Sequence, residues 1–251
     1  SNPIKIGLGK VKGRGKRVVS VNPVQTGYAA ISDDWYGVTP GTDGLLIMAL
    51  IRELMRSGNI DVDYLRRYTN APWLVIRNPG AANDGLFYRD RDGNPQVLDR
   101  KSGLAVAHQT KNISAAMHGE IKLDTGGVAV PAFMIISETY MDEAYAPEKI
   151  APNVGISSNR IRQFAADLAD AAFSREVVID QPWVDWKGEK HKQMIGRPVS
   201  MHAMRGISAH SNGFQTCRAL HVLQLMLGSI EVPGGWRFKP PYPKPPEAHS
   251  K

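Results

Sequence analysis

Cysteine is almost missing from this chain of 251 residues. The single Cys217 excludes an internal disulfide, an iron–sulfur cluster held by four thiolates and a cysteine-rich zinc site. No apolar run approaches the roughly 20 residues needed to span a bilayer. The basic start, Ser1 to Arg17, is not followed by an apolar stretch of export-signal type. Seven histidines are scattered without helical ligand spacing, so no metal site is expected. A phosphate-binding Gly-x-x-x-x-Gly-Lys-Ser/Thr run is absent, and Gly13-Arg14-Gly15-Lys16 precedes a strand instead of following one. Gly206-Ile207-Ser208-Ala209-His210 lacks the second glycine of a nucleophile elbow, which disfavours a serine hydrolase. No internal repeat is visible.

What is present describes a folded protein. A hydrophobic fraction of 42% with 22% charged residues is ordinary for a globular chain, and 31 basic against 24 acidic side chains give a net charge of +7. Residues 1–16 carry lysines and arginines with no acid before Asp33. They read either as a loose, solvated lead-in or as an anion-binding patch, though without interleaved aromatics nucleic acid is not an expected partner. Ser1-Asn2 could equally be a scar of tag removal and is left out of fold reasoning. Residues 17–235 read as one α/β region, and 236–251, rich in proline, as an extended tail.

Val18-Val19-Ser20-Val21, stopped by Asn22-Pro23, predicts a buried strand. Leu46, Ile47, Leu50, Ile51, Leu54 and Met55 recur at helical spacing, ended by Gly58. Asp61 predicts a cap for a short helix to Tyr68, and Trp73 to Ile76 a second strand. Residues 78–127 read as a glycine- and charge-rich surface insertion with little core, expected to be the most mobile internal region. Asp92-Gly93 marks a hairpin between Leu86-Phe87-Tyr88 and Gln96-Val97-Leu98. Helices follow over 132–144 and after Ser157, a strand at Val177-Val178-Ile179, another at 198–202, and a helix from Gly213 to Leu227 with Cys217, Leu220, Leu223 and Leu227 on one stripe. The alternation predicts a Rossmann-like, mostly parallel sheet with helices on both faces.

Ligands on such sheets bind outside the carboxyl ends of strands. Two junctions qualify: Asn22, Pro23, Val24, Gln25 and Thr26 after the first strand, and 204–213 after the last. In the second, glycines, hydroxyls and Arg205 before a helix could cradle a phosphate. Equally, Ser211 and Asn212 could only cap that helix. Asp43, at the first turn of the Leu46 helix, poses the same choice: it caps backbone amides, or it accepts two hydrogen bonds from the N1–H and N2–H₂ edge of a guanine.

Two runs carry a family resemblance. Val18 to Thr26 with Asp34-Trp35 and Pro40-Gly41-Thr42-Asp43-Gly44 resembles the central region of molybdopterin oxidoreductase catalytic subunits, the dimethyl sulfoxide reductase family. Arg205 to Leu220, followed by Leu227-Gly228-Ser229-Ile230 and Pro233-Gly234-Gly235, is similar to that family's second cofactor-binding stretch. The likeness covers most of the chain outside 78–127 and is nearest to members acting on sulfur oxyanions or polysulfide, with formate-like substrates as a further class. It implies bis(molybdopterin guanine dinucleotide) with molybdenum or tungsten, the metal ligand and an iron–sulfur cluster lying outside this fragment. Asn22 to Thr26 and Gly41, Thr42 and Asp43 would line one guanine dinucleotide. Arg205, Gly206, Ala209 and His210 would approach a pterin or its pyrophosphate. This sequence has Asn22 and Gln25 where many relatives have Asp and Arg, and Ala209 where some have Gln. The implied partners are a small-molecule substrate, a membrane-anchor subunit, and an iron–sulfur electron-transfer subunit; the fragment alone is expected to be inactive and metal-free. The competing class is a non-catalytic nucleotide-binding or interaction module of α/β fold.

Overall fold

The structure, a computed structural model, describes residues 3–27, 29–185, 188–203 and 205–236. The proline-rich tail from 237 onward, and Ser1-Asn2, lie outside the described residues. Helix α1 (Pro3–Gly13) precedes strand β1 (Val19–Val21) and its parallel neighbour β2 (Asp34–Tyr36). Then follow α2 (Asp43–Arg56), α3 (Val62–Tyr68), β3 (Leu74–Arg77), β4 (Gln96–Leu98), β5 (Ala105–Ala107), β6 (Ile121–Lys122) and β7 (Val128–Pro131). Helices α4 (Ala132–Tyr140), α5 (Pro147–Val154) and α6 (Ser158–Ala169) come next. The chain continues through β8 (Val177–Ile179), β9 (Trp183–Val184), β10 (Lys190–His191) and β11 (Met194–Gly196) to α7 (Arg205–Ser208) and α8 (Gly213–Met226).

The core is helical. Leu46, Ile47, Leu50, Ile51 and Leu54 of α2 are buried in one cluster with Ile150 and Val154 of α5, Ile161 and Phe164 of α6, and Leu223 and Met226 of α8. Tyr36 of β2 stacks on Phe164 at 4.4 Å between ring centroids, fixing the short parallel pair to α6. Asp61 caps α3 by accepting from the Tyr64 amide at 2.9 Å, and Gly58, with φ +72°, ends the α2 segment as its position in the sequence predicts.

The parallel sheet expected from the sequence is not found. Among the described residues the one parallel sheet has two strands, and every other strand pairs antiparallel: β3-β7-β6, β4-β5, β8-β11 and β9-β10. Short β-branched runs can form hairpin ribbons as well as crossover neighbours, and residue pattern alone does not separate the two. Three strand expectations change accordingly. β1 is half-buried with Val21 exposed, β8 is an exposed ribbon, and 198–202 has no regular structure, the strand lying at β11 instead. The basic lead-in is helical, and its cations are partly spent within the fold: Lys12 pairs with Asp33 at 2.9 Å and Arg17 with Asp34 and Asp167 at 2.6 and 2.8 Å.

Residues 78–127 hold the expected hairpin, with the Gln96 amide donating to the Tyr88 carbonyl at 2.9 Å and Gly93 at φ +83°. They are not without a core. Leu98 and Ala116 pack with Leu74 and Ala129 in a second buried cluster. Asp99 holds this lobe's loops, accepting from the Ser114 amide at 3.0 Å and from Ser102 through its amide at 3.1 Å and its hydroxyl at 2.9 Å. These donors, Ser114 first, lower its pKa from 3.8 to about 2. A carboxylate depressed in the folded state contributes stability that is complete above about pH 4 and lost as pH falls through 4 towards 2. Asp99→Asn is therefore expected to flatten the stability profile of this lobe between pH 4 and 2; an unchanged acid limb in unfolding curves would refute the assignment.

Candidate functional site

The sequence-derived residues fall at the ends of three elements. Asn22 to Thr26 turn away from the carboxyl end of β1. The Asn22 side chain accepts from the Val24 amide at 3.3 Å, and the Asn22 carbonyl accepts from the Trp35 indole at 2.7 Å. Pro23, Val24, Gln25 and Thr26 are exposed. The loop leaving the neighbouring β2 is anchored where the Thr39 amide donates to the Val154 carbonyl at 3.0 Å, and it delivers Gly41, Thr42 and Asp43 to the start of α2.

The second junction lies against the first. A Cβ on Gly41 would sit 3.7 Å from Nδ1 of His210, and one on Gly44 would sit 3.0 Å from the Thr216 hydroxyl oxygen. At the far end the Asp61 amide donates to the Met226 carbonyl at 2.7 Å. Helices α2 and α8 thus run parallel, with their N-termini side by side. Neither is capped by a side chain. Thr42 occupies the cap position of α2 but donates its hydroxyl back to the Thr39 carbonyl at 2.8 Å, and Asn212 makes no cap bond for α8. The capping roles offered for Asp43, Ser211 and Asn212 are therefore corrected: among the described residues the Asp43 carboxylate has no hydrogen-bond partner. Two sets of free amide donors and two positive dipole ends meet at one place, which favours an anion.

Glycine has steric work at two positions here. Gly41 adopts φ +82° as the chain turns into α2, and a Cβ on Gly213 would fall 2.2 Å from the Ser208 carbonyl oxygen, so the α7 turn closes on the start of α8 only because that residue has none. Gly206 faces open space, and Ala209 and His210 are exposed in the turn before α8. Arg205 is not brought to Gly41. It lines a second cavity with Ser208, Cys217, Leu220, Gln224 and Trp236, on the flank of α8 opposite Gln215 and Ala219.

Sequence reasoning missed one group entirely. Asp185, Glu189 and His191 place possible ligand atoms within 4.8 Å of one another. Arg67 pairs with Asp185 at 3.4 Å and with Glu189, so the cation held there is a guanidinium. Ring stacking of Trp183 on His191 at 4.5 Å completes this structural knot between α3 and the β9-β10 ribbon.

The chain matches no protein-family model. It is 41% identical over 254 residues to a sulfite dehydrogenase subunit of Allochromatium vinosum, covering 98% of this chain and 26% of that protein. It is 33% identical over 224 residues to the nitrate-inducible formate dehydrogenase major subunit of Escherichia coli, covering 87% of this chain and 18% of the other. Among solved structures, acetylene hydratase from Pelobacter acetylenicus superposes with a TM-score of 0.51 at 15% identity over 90% of this chain and 19% of its own length, a likeness of fold. The chain thus spans about a quarter or less of these proteins.

Proposed function

We propose, from the homology of this chain to one portion of the catalytic subunits of the dimethyl sulfoxide reductase family of molybdopterin oxidoreductases, that it forms part of the cofactor-holding wall of such a subunit. The cofactor would be bis(molybdopterin guanine dinucleotide), which when bound supplies the two-electron redox chemistry at its molybdenum or tungsten. The residues present suit such a group. Among the described residues Asp43 keeps both carboxylate oxygens unengaged for the two donors of a guanine edge, and the uncapped starts of α2 and α8 offer amides to a pyrophosphate. Gly41 keeps the backbone open beside them, while Asn22 to Thr26, at the end of the parallel strand pair, would flank the same nucleotide. Gly206, Ala209 and His210 would approach the pterin side. Arg205, facing the other flank of α8, would meet a different part of the cofactor from the part that Asp43 holds.

The observation that carries this local assignment is the close approach of His210 to Gly41, which brings two stretches far apart in sequence to one donor-rich surface. The substrate would be a sulfur oxyanion, polysulfide or a formate-like compound. The whole catalytic protein would carry an iron–sulfur cluster and work with a membrane anchor and an iron–sulfur electron-transfer subunit. The twin helix starts would equally serve a non-catalytic nucleotide-binding module, and one experiment separates the two. Expressed in a host able to make the cofactor, the full-length gene product is expected to purify with molybdenum or tungsten, a pterin and releasable guanine nucleotide. A folded product free of metal and pterin would leave only the module reading.

A further inference from the structure

A groove of about 400 Å³ runs between α2, α4 and α8; its open end takes in the helix starts assigned above to the pyrophosphate, but none of the side chains assigned above to the cofactor lines it. Leu45, Met48, Ile135 and Ile136 form apolar walls. Its polar members include Arg218, Tyr140, Tyr145 and Gln215, and no acidic side chain is among the lining residues. Arg218 is exposed and makes no ion pair among the described residues. Tyr140 is only 6% exposed, yet its hydroxyl has no hydrogen-bond partner among the described residues. Burial raises the Tyr140 pKa, Arg218 lowers it and Tyr145 raises it, so both neighbours stand within electrostatic reach of Tyr140 and its phenol stays a proton donor at neutral pH. The open end of the groove reaches Gly44 and Asn212 at the paired helix starts, which adds to the positive potential.

We propose that this groove binds a small organic oxyanion, a carboxylate, sulfonate or phosphate monoester on an apolar body, with Arg218 and the Tyr140 and Tyr145 hydroxyls donating to the head. An unpaired guanidinium suits a bidentate oxyanion, and the aliphatic walls take the body. The Tyr140 hydroxyl, committed to no group among the described residues, is available to donate to the head. The groove meets the proposed pyrophosphate site at the helix starts, but Arg218, Tyr140 and Tyr145 have no part in the cofactor reading, and the proposal survives its failure.

The test is equilibrium binding of benzoate and phenyl phosphate to the whole chain, with benzyl alcohol as the uncharged control. Both anions are expected to bind and the alcohol to bind far more weakly. Arg218→Gln should weaken the anions by at least about tenfold, and Tyr140→Phe by about fivefold. Because Arg218 is exposed, the first variant keeps the fold, which an unchanged melting temperature documents. Absence of anion binding by the parent chain, or binding indifferent to both substitutions, overturns the proposal. So does displacement of the anions by guanosine diphosphate, which would make the groove part of the nucleotide site.

Discussion

Replacing Glu53 by alanine is expected to destabilise the chain by about 3 to 5 kcal/mol, the usual cost of removing one member of a buried ion pair. Glu53 is 4% exposed in the middle of α2, and three guanidinium groups converge on it: Arg52 at 3.2 Å, Arg56 at 3.0 Å and Arg162 at 3.4 Å. Arg52, 6% exposed, is left by the substitution with Glu143 alone, and its Nε already lacks a partner. A charge buried without its counterion has lost both water and partner, so the penalty exceeds anything the pair contributed. Arg162 suffers less, because it keeps Glu148 at 2.6 Å, an ion pair that holds the Glu148 pKa down at about 2. Glu53→Gln preserves volume but not charge and should fall between the parent and alanine. Urea unfolding of the three proteins measures this, and a loss below about 1 kcal/mol for alanine would mean that Glu143 and Glu148 take over the freed cations.

Asp43→Asn should do the reverse, leaving the fold intact while removing a ligand. No side-chain hydrogen bond of Asp43 is lost, since it makes none within the described residues and Thr42 holds the cap position. What remains is the favourable dipole at the helix start, about 0.3 to 1 kcal/mol, so the melting temperature should barely move. A guanine edge presents two donors, and an amide answers with one acceptor and one opposed donor. The mismatch costs about 1 to 3 kcal/mol, or roughly fivefold to a hundredfold in nucleotide affinity. Asp43→Ser should behave alike. Pterin content and turnover of the full-length protein, read beside melting temperature, decide the matter: full cofactor content and turnover in both variants would remove Asp43 from the binding site.

Helices with one apolar face were legible in the sequence. The spacing of Leu46 to Met55 located α2, Asp61 located the start of α3, and Ile161 and Phe164 located α6. Helix α5 was not among the expected elements; Pro147 sits in its first turn, where no amide donor is needed, and the eight-residue helix also holds Pro152. The sheet was misjudged for a different reason. Val177, Val178 and Ile179 carry strand propensity but no information on which neighbour they pair with, and the partner proved to be β11, beyond the intervening β9 and β10. Of the candidate site, the two stretches were legible as motifs, but their contact was not. Nothing local in Gly41 or His210 declares that they are neighbours, and the groove of Tyr140, Tyr145 and Arg218 is assembled from segments whose residues look like ordinary surface when read singly.

The parallel setting of α2 and α8 has a thermodynamic cost and a thermodynamic use. Two like-directed dipoles held side by side repel at both ends, and the packing of Leu50 and Leu54 near Leu223 must overcome that repulsion in the ligand-free chain. An anion at the joined N-termini would offset the repulsion at that end. Conformational stability and occupancy are then linked quantities: whatever free energy the bound anion contributes to holding the helices together is the free energy by which the helices hold the anion, and dissolved salt, by screening the repulsion, competes for the same role.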